Sequence, residues 1–454
     1  MTRSLIARRA CAALLAGVTV LLSGCLGGGG SSGGNAQLRV LNLTPDLASI
    51  DVSLSGTKSF PAVAQQALTS SSSLTAQSYT VSVASAGSPT SLFSGTYSLA
   101  KDLHYTGVVW GSADSLNFAT LPEDQNDSLA AGTTEVRVYN ATASAGAFDV
   151  FLTPVLQNVP DLNGVLATRS SVTSRGLSGY ALLSTGAYRL RVTAAGNPDD
   201  VRLDVPSLTL GDVQYATIVI TAGQGNALVN ATVVVQQGAT LTAFNNGSAR
   251  VRVVASVAIN SDNVTRSLIG VSVDGTTLPS GTLRSPSVGP YTSVASGNRT
   301  VAVTLNGTTF STTTQSIAAG ADYTLMAYGS QASPQVVLIP DDNSVPSVGK
   351  VQLRLINGDD SIGQATLLVD NGNLSINSID PGLASSYNIY TATTGTTSAI
   401  PSRLEVFSGN TPDVALYTNP SQTLLSQGVY TVFLLRGGLS GSTPAPTGLL
   451  RKDR

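Results

Sequence analysis

The chain has 454 residues, 11% of them charged and 42% hydrophobic, with 24 Lys and Arg against 26 Asp and Glu. Ordinary soluble proteins carry roughly 25% charged residues, so Ser, Thr, Asn and the 45 glycines here make a neutral surface rather than an ionic one. One histidine (His104) and two cysteines (Cys11 and Cys25) exclude His- or Cys-ligated zinc, iron–sulfur clusters, a repeated disulfide framework and most histidine-based catalysis, and a formal charge of −2 argues against nucleic acid as a partner.

In chain order, Arg3, Arg8 and Arg9 form a basic start, and Ala10 to Leu22 is an uncharged, mostly apolar run. That run is too short to span a bilayer, which takes about 20 residues, and suits the apolar part of a signal peptide. Leu22-Ser23-Gly24-Cys25 then resembles the lipobox of bacterial lipoproteins. The resemblance implies a signal peptide over 1–24, with Cys25 carrying diacylglycerol on its thiol and a further acyl chain such as palmitate on its amine. Several acyl chains exceed the single chain that holds only marginally. Leu26, where an aspartate would signal inner-membrane retention, implies the outer membrane if the cell is Gram-negative. Residues 25–36 hold the Gly- and Ser-rich stretch of a flexible tether. No later run of 18 apolar residues follows, so the expected contact with the membrane is the lipid anchor alone.

The rest of the chain repeats. Similar openings stand at Leu38-Arg39-Val40, Val136-Arg137-Val138, Val251-Arg252-Val253 and Leu353-Arg354-Leu355. They lie about 100 residues apart, the size of whole domains rather than of solenoid repeats. A second marker is a tyrosine opening a late apolar strand, at Tyr105-Thr106, Tyr215-Ala216, Tyr323-Thr324 and Tyr430-Thr431. Two units close on an acidic turn, Glu123-Asp124 and Asp341-Asp342, and the last ends similarly at Asp453. Between the markers, apolar and polar residues alternate with period two, as in Ile50-Asp51-Val52-Ser53-Leu54. About seven short strands per unit and no convincing amphipathic helix predict an all-β chain of tandem immunoglobulin-like β-sandwich domains in a row. Their boundaries are 37–132, 133–248, 249–348 and 349–454.

The opening Arg39-Val40-x-Asn42-x-Thr44-Pro45-Asp46, the following Ile50-Asp51-Val52 and the later tyrosine strands resemble the uncharacterised bacterial family called domain of unknown function 4397. This resemblance implies β-sandwiches, often in tandem, in secreted proteins and lipoproteins, with no assigned activity. Asn42 stands where that family favours histidine, and unit 3 has an insertion between Ile259 and Leu268.

Candidate chemistry is sparse. Arg39 and Asp51, like Arg137 and Asp149, would meet on an outer face if their strands formed a hairpin, as surface ion pairs of about 0–1 kcal/mol. The repeated tyrosines predict a tyrosine corner, whose hydroxyl bonds back to the backbone. Trp110, the lone tryptophan, predicts a core or rim position, or at most a weak carbohydrate platform. The acidic clusters with Glu123, Asp124, Asp127, Asp341 and Asp342 are the candidate calcium ligands at unit junctions, because Ca²⁺ takes six to eight oxygens, although no full set is visible. Ser98-x-x-Lys101 and Ser261-Asp262-Asn263 match fragments of penicillin-recognising enzymes, but the K-T-G partner is absent.

No catalytic residues and no cofactor are expected. These features lead to a non-catalytic cell-envelope lipoprotein acting as a binding or structural β-sandwich array. The alternative is a glycan-binding module of an outer-membrane carbohydrate system, and a glycan or protein ligand stays unidentified.

Overall fold

β-branched and small residues spaced with period two, broken by Gly, Pro and Asn, leave strand as the only regular structure open to most of this sequence. The computed structural model describes residues 34–259, 265–391, 401–409, 411–440 and 443–454, and among them three short 3-10 turns interrupt an otherwise all-strand chain. The expected signal peptide over 1–24, Cys25 and Ser261-Asp262-Asn263 lie outside the described residues.

The strands form eight separate sheets, two to each repeated unit. In unit 1 the opening strand Asn35–Leu43 runs parallel to the tyrosine strand His104–Trp110, which pairs antiparallel with a closing strand, Asn117–Pro122. The facing sheet has the order Thr57–Ala64, Ser49–Leu54, Ser78–Ser85, Ser91–Ser98. Units 2, 3 and 4 repeat this plan, with opening strands Thr133–Ala141, Ser248–Val257 and Lys350–Gly358 beside tyrosine strands Gln214–Ala222, Asp322–Gly329 and Val429–Ser440. Their closing strands are Val229–Val235, Pro334–Asp341 and Thr443–Lys452. Each unit is thus a two-sheet sandwich, with eight or nine described strands rather than seven.

Each sandwich has its own core. Leu38 and Val40 of the opening strand pack with Ile50, Val52, Val81 and Val83 in unit 1, and Leu353 and Leu355 pack with Leu367, Leu404 and Val406 in unit 4. The alternate residues of the same strands do not face water. Leu41, Leu43, Val108 and Trp110 of unit 1 pack on Tyr139, Ala141, Val219 and Val234 of unit 2. Val254, Met326 and Ile339 of unit 3 pack on Ile356, Phe433 and Leu435 of unit 4. The units therefore do not form a simple row. They stack back to back as two pairs, 1 with 2 and 3 with 4, through the sheets that hold the repeated arginines. Where units 3 and 4 cross, Gly358 leaves no room for a side chain: a Cβ there would lie 2.7 Å from Ser256 Oγ.

One repeated polar residue ties the two sheets of a sandwich together. Asn140 is fully buried and donates from Nδ2 to Gly146 O (3.0 Å) and Val172 O (2.9 Å), while its Oδ1 accepts from Thr142. Asn357 does the same toward Gly363 O and Ile379 O, and Asn42 toward Val63 O. Unit 3 has Ala255 at this place. Since an unsatisfied buried carbonyl costs about 1–3 kcal/mol, Asn140→Ala should lower stability by about 2–5 kcal/mol. Urea unfolding followed at unit 2 would check this, and a loss within 0.5 kcal/mol would remove the structural role.

Candidate functional site

The repeated Arg, Tyr-Thr and acid markers, far apart in each unit's sequence, come together in its paired sheet. Parallel register sets Arg39 beside Thr106, Arg137 beside Thr217, Arg252 beside Thr324 and Arg354 beside Thr431. In every unit the arginine Nε donates to the threonine Oγ1, at 2.9, 2.9, 2.7 and 3.0 Å. The threonine hydroxyl in turn donates to the acid at the end of the closing strand: Thr106 to Glu123 (2.6 Å), Thr324 to Asp341 (2.7 Å) and Thr431 to Asp453. All four arginines are buried, at most 6% exposed.

Between units 3 and 4 the charges cross. Arg252 pairs with Asp453 of unit 4, and Arg354 pairs with Asp341 of unit 3. Two guanidiniums thus meet two carboxylates, and the site is neutral. Tyr291 and Tyr387 cover the guanidiniums of Arg252 and Arg354 at 4.8 and 4.5 Å, and Tyr291 donates to Asp341 at 2.6 Å. Burial by itself would raise the Asp341 carboxyl, but Arg354, Arg252 and the Tyr291 hydrogen bond hold it below its ordinary value. Burial would likewise lower Arg252, and the neighbouring carboxylates keep it raised instead. Both directions describe a charged, paired network.

Between units 1 and 2 the same frame is short of one acid. Gln236 follows the closing strand of unit 2, where the other units have Glu123, Asp341 or Asp453. Its amide bonds Gln125 of the inter-unit linker, and Nε2 donates to Gln125 O at 2.6 Å. Glu123 consequently pairs with Arg39 of its own unit, and Arg39 also donates to Val235 O of unit 2 at 3.0 Å. Arg137 has no carboxylate of its own: it donates to Thr217 and Pro122 O and stacks on Tyr180 at 4.8 Å. Burial pulls its guanidinium below the ordinary value. A void of about 10 Å³ lined by Thr106, Glu123, Arg137 and Thr217 lies at this place, room for about one water.

Several sequence expectations change here. Arg39 and Asp51 do not meet, because their strands belong to different sheets. Asp51 instead pairs with Lys58 and accepts from the backbone of Ala62 and Gly87, which hold its carboxyl down at about 2. Asp149 accepts from Ser171 N and Gly196 N. The candidate calcium ligands have separate partners. Glu123 and Asp341 serve the arginines, Asp124 pairs with His104 at 2.8 Å, Asp127 accepts from Gln125 and Asp342 accepts from Ser344. No group of three or more His, Cys, Asp or Glu gathers in metal-binding geometry among the described residues.

Three tyrosines form the expected corner: Tyr105, Tyr323 and Tyr430 accept from the backbone N–H five residues upstream, at Ala100, Ala318 and Leu425. Tyr215 does not. Register aligns Ala216, not Tyr215, with the other three, because Arg137 stands opposite Thr217. A one-residue offset turns a side chain to the other face of a strand, and Tyr215 donates instead to Asp127 O in the linker. Trp110 is 3% exposed, enclosed between units 1 and 2.

No curated protein matches the sequence. A solved structure, the Bacillus anthracis TIE protein, is similar at 10% identity and a TM-score of 0.15, over 64% of this chain and 50% of that one. The chain thus spans about half of that protein's length, and a likeness at this level says nothing of role. Residues 36–151 match the model of Domain of unknown function (DUF4397), from unit 1 into the first strands of unit 2, and 261–364 match it again from unit 3 into unit 4. With the same Arg–Thr pairing carried by all four sandwiches, these two matches are consistent with a tandem-repeat DUF4397 protein.

Proposed function

We propose that the chain is a non-catalytic lipoprotein of the cell envelope, held by lipid on Cys25, and that its paired sandwiches form a structural and binding array standing off the membrane. One observation carries the non-catalytic reading. The polar residues that recur in every unit, the arginine and its threonine, are buried between or within units, so they serve assembly of the array. A repeated ligand site would instead keep them open to solvent. The lipobox-like Leu22-Ser23-Gly24-Cys25 and the Gly-rich stretch after it support the anchor and tether.

Glycan binding draws no comparable support. Sugar rings stack on exposed aromatic faces, and the largely exposed apolar side chains among the described residues are all Leu, Val or Ile. Two experiments test the proposal. Labelled palmitate should enter the protein and be lost in Cys25→Ser; equal labelling of that variant would overturn the anchor. Protease shaving of intact cells, with a periplasmic leakage control, should release peptides of 37–454 if the array faces outward. Protection until the outer membrane is permeabilised would make it a periplasmic scaffold.

A further inference from the structure

Unit 2 departs from the other three at one hairpin. Units 1 and 3 join the corresponding strands through Ser55-Gly56 and Asp274-Gly275, and unit 4 through residues 370–373. In unit 2, residues 155–168 stand between Phe148–Pro154 and Arg169–Val172. Loops of this length inside a compact domain are uncommon and mostly functional. This one is built onto its sheet: Leu162 is buried, Pro160 O accepts from Arg191 at 3.3 Å, and Thr168 Oγ1 accepts from Leu152 N at 3.0 Å. It also holds the two most exposed large apolar side chains among the described residues, Leu156 at 99% and Leu166 at 92%. Packing explains Leu162 and leaves those two without a role in the fold.

Topology places the loop at the tethered end of the array. Pro154 lies opposite Tyr188, whose hydroxyl donates to Ser184 O at 2.8 Å, and Ser184 lies opposite Thr133, where the opening strand of unit 2 begins. The opening strands of units 1 and 2 begin at the same end. Arg39 reaches Val235 and Arg137 reaches Pro122, each the last residue of the other unit's closing strand, which runs back to where the opening strand starts. In unit 1 that start is Asn35, directly after the Gly- and Ser-rich stretch from Cys25. A chain of that length and composition spans about 17 Å on average, so this end stays within reach of the bilayer. Units 3 and 4 leave from the opposite end. There Val345 N donates to Ser144 O (2.7 Å) and Gly225 N to Gly320 O (2.9 Å), just past Ala141 and Ala222, where the opening and tyrosine strands of unit 2 finish.

We propose that the loop seats the array on its membrane, with Leu156 and Leu166 inserted at the boundary between lipid headgroups and acyl chains. The inference rests on the lipid anchor proposed above and adds a second contact to it. The anchor holds the loop at high local concentration beside the bilayer, so two leucines suffice where a free protein would need a larger apolar face. Asp161 is the only charged residue in 155–168, which makes the contact apolar rather than electrostatic. Seated this way, units 1 and 2 stand between the bilayer and units 3 and 4, and the array projects instead of swinging on its tether.

The test uses the full lipidated chain on vesicles of phosphatidylethanolamine and phosphatidylglycerol, with an environment-sensitive nitrobenzoxadiazole probe on Gln157→Cys, which keeps both leucines. The proposed processing removes Cys11 and acylates Cys25, so position 157 carries the only thiol. Flotation reads the anchor separately. The probe's emission should shift to shorter wavelength and be quenched by bromine carried on the acyl chains. The same probe on Leu383→Cys, an exposed position beside the end of the opening strand of unit 4, should show neither effect. Leu156→Asp with Leu166→Asp should abolish the shift while flotation and the melting midpoint stay as in wild type, since both side chains are exposed. Protein that floats with the probe at 157 still reading as water would overturn the seating, leave the anchor standing and point the leucines to a protein partner. Protein that does not float would overturn the anchor, and the seating falls with it.

Discussion

Asp341→Ala should lower the melting midpoint of units 3 and 4 by on the order of 10 °C, the largest effect expected of any single carboxylate in the chain. The substitution leaves Arg354 buried without its counterion and takes an acceptor from Thr324 and Tyr291. Breaking a buried pair from one side costs about 3–5 kcal/mol, and 1 kcal/mol moves a domain pair of this size by about 2–4 °C. Calorimetry of the full chain would read the shift, with hydrogen exchange of the Lys350–Gly358 strand assigning it to this pair. Adding Arg354→Met should recover most of the loss, because the remaining Arg252–Asp453 pair is balanced. An unrecovered double variant would mean that packing, not the missing charge, caused the loss.

The same carboxyl sets an acid limit. Asp341 is held below its unfolded value of 3.8, so its contribution is fully present above about pH 4. It is lost as the pH falls through the lower, folded value. Stability of units 3 and 4 should therefore fall below pH 4, and the fall should be shallower in Asp341→Asn than in wild type. Equal slopes would contradict the network's role.

Phe433→Ala is the second large effect expected, about 3–5 kcal/mol for a fully buried aromatic. Its ring lies 5.0 Å from the Arg252 guanidinium and packs with Val254, Met326 and Ile339 of unit 3, outside the core of its own sandwich. Each sandwich keeps its own core in the variant, so the loss should fall on the coupling between units. One calorimetric transition for units 3 and 4 should become two. Leu156→Ala, at a side chain 99% exposed, is the control and should stay within about 0.5 kcal/mol of wild type. A single transition shifted intact would show that the pair is not held by this face.

Part of this organisation could be read along the chain. Asn35–Leu43 is buried along most of its length, and near-continuous apolar strands are what a sheet covered on both faces requires. That signal stood in the openings of all four units, alongside an acid at the end of three of the four closing strands. The same residues also fit a one-sided sandwich with a charged outer face, and local spacing alone cannot separate the two. Arg39 and Asp51 illustrate the difficulty: 12 residues apart by number, they could share a hairpin only if their strands shared a sheet, and the parallel partner of Arg39 comes from far later in the chain.

Strand content, the four repeated units, the tyrosine corners of three of them and the acid ending three of the four closing strands could be read from the sequence alone. These follow from side-chain period, turn residues and repetition, all of which act within a few residues or recur at fixed intervals. Tertiary structure decided which outer face each unit hides, which arginine meets which carboxylate, and that Tyr215 turns away from its apparent equivalents. Arg252 finds Asp453 at a separation of 201 residues, a pairing set by the stacking of two sheets. A strand's period of two specifies two faces equally well, and only the partner laid against each one makes it interior.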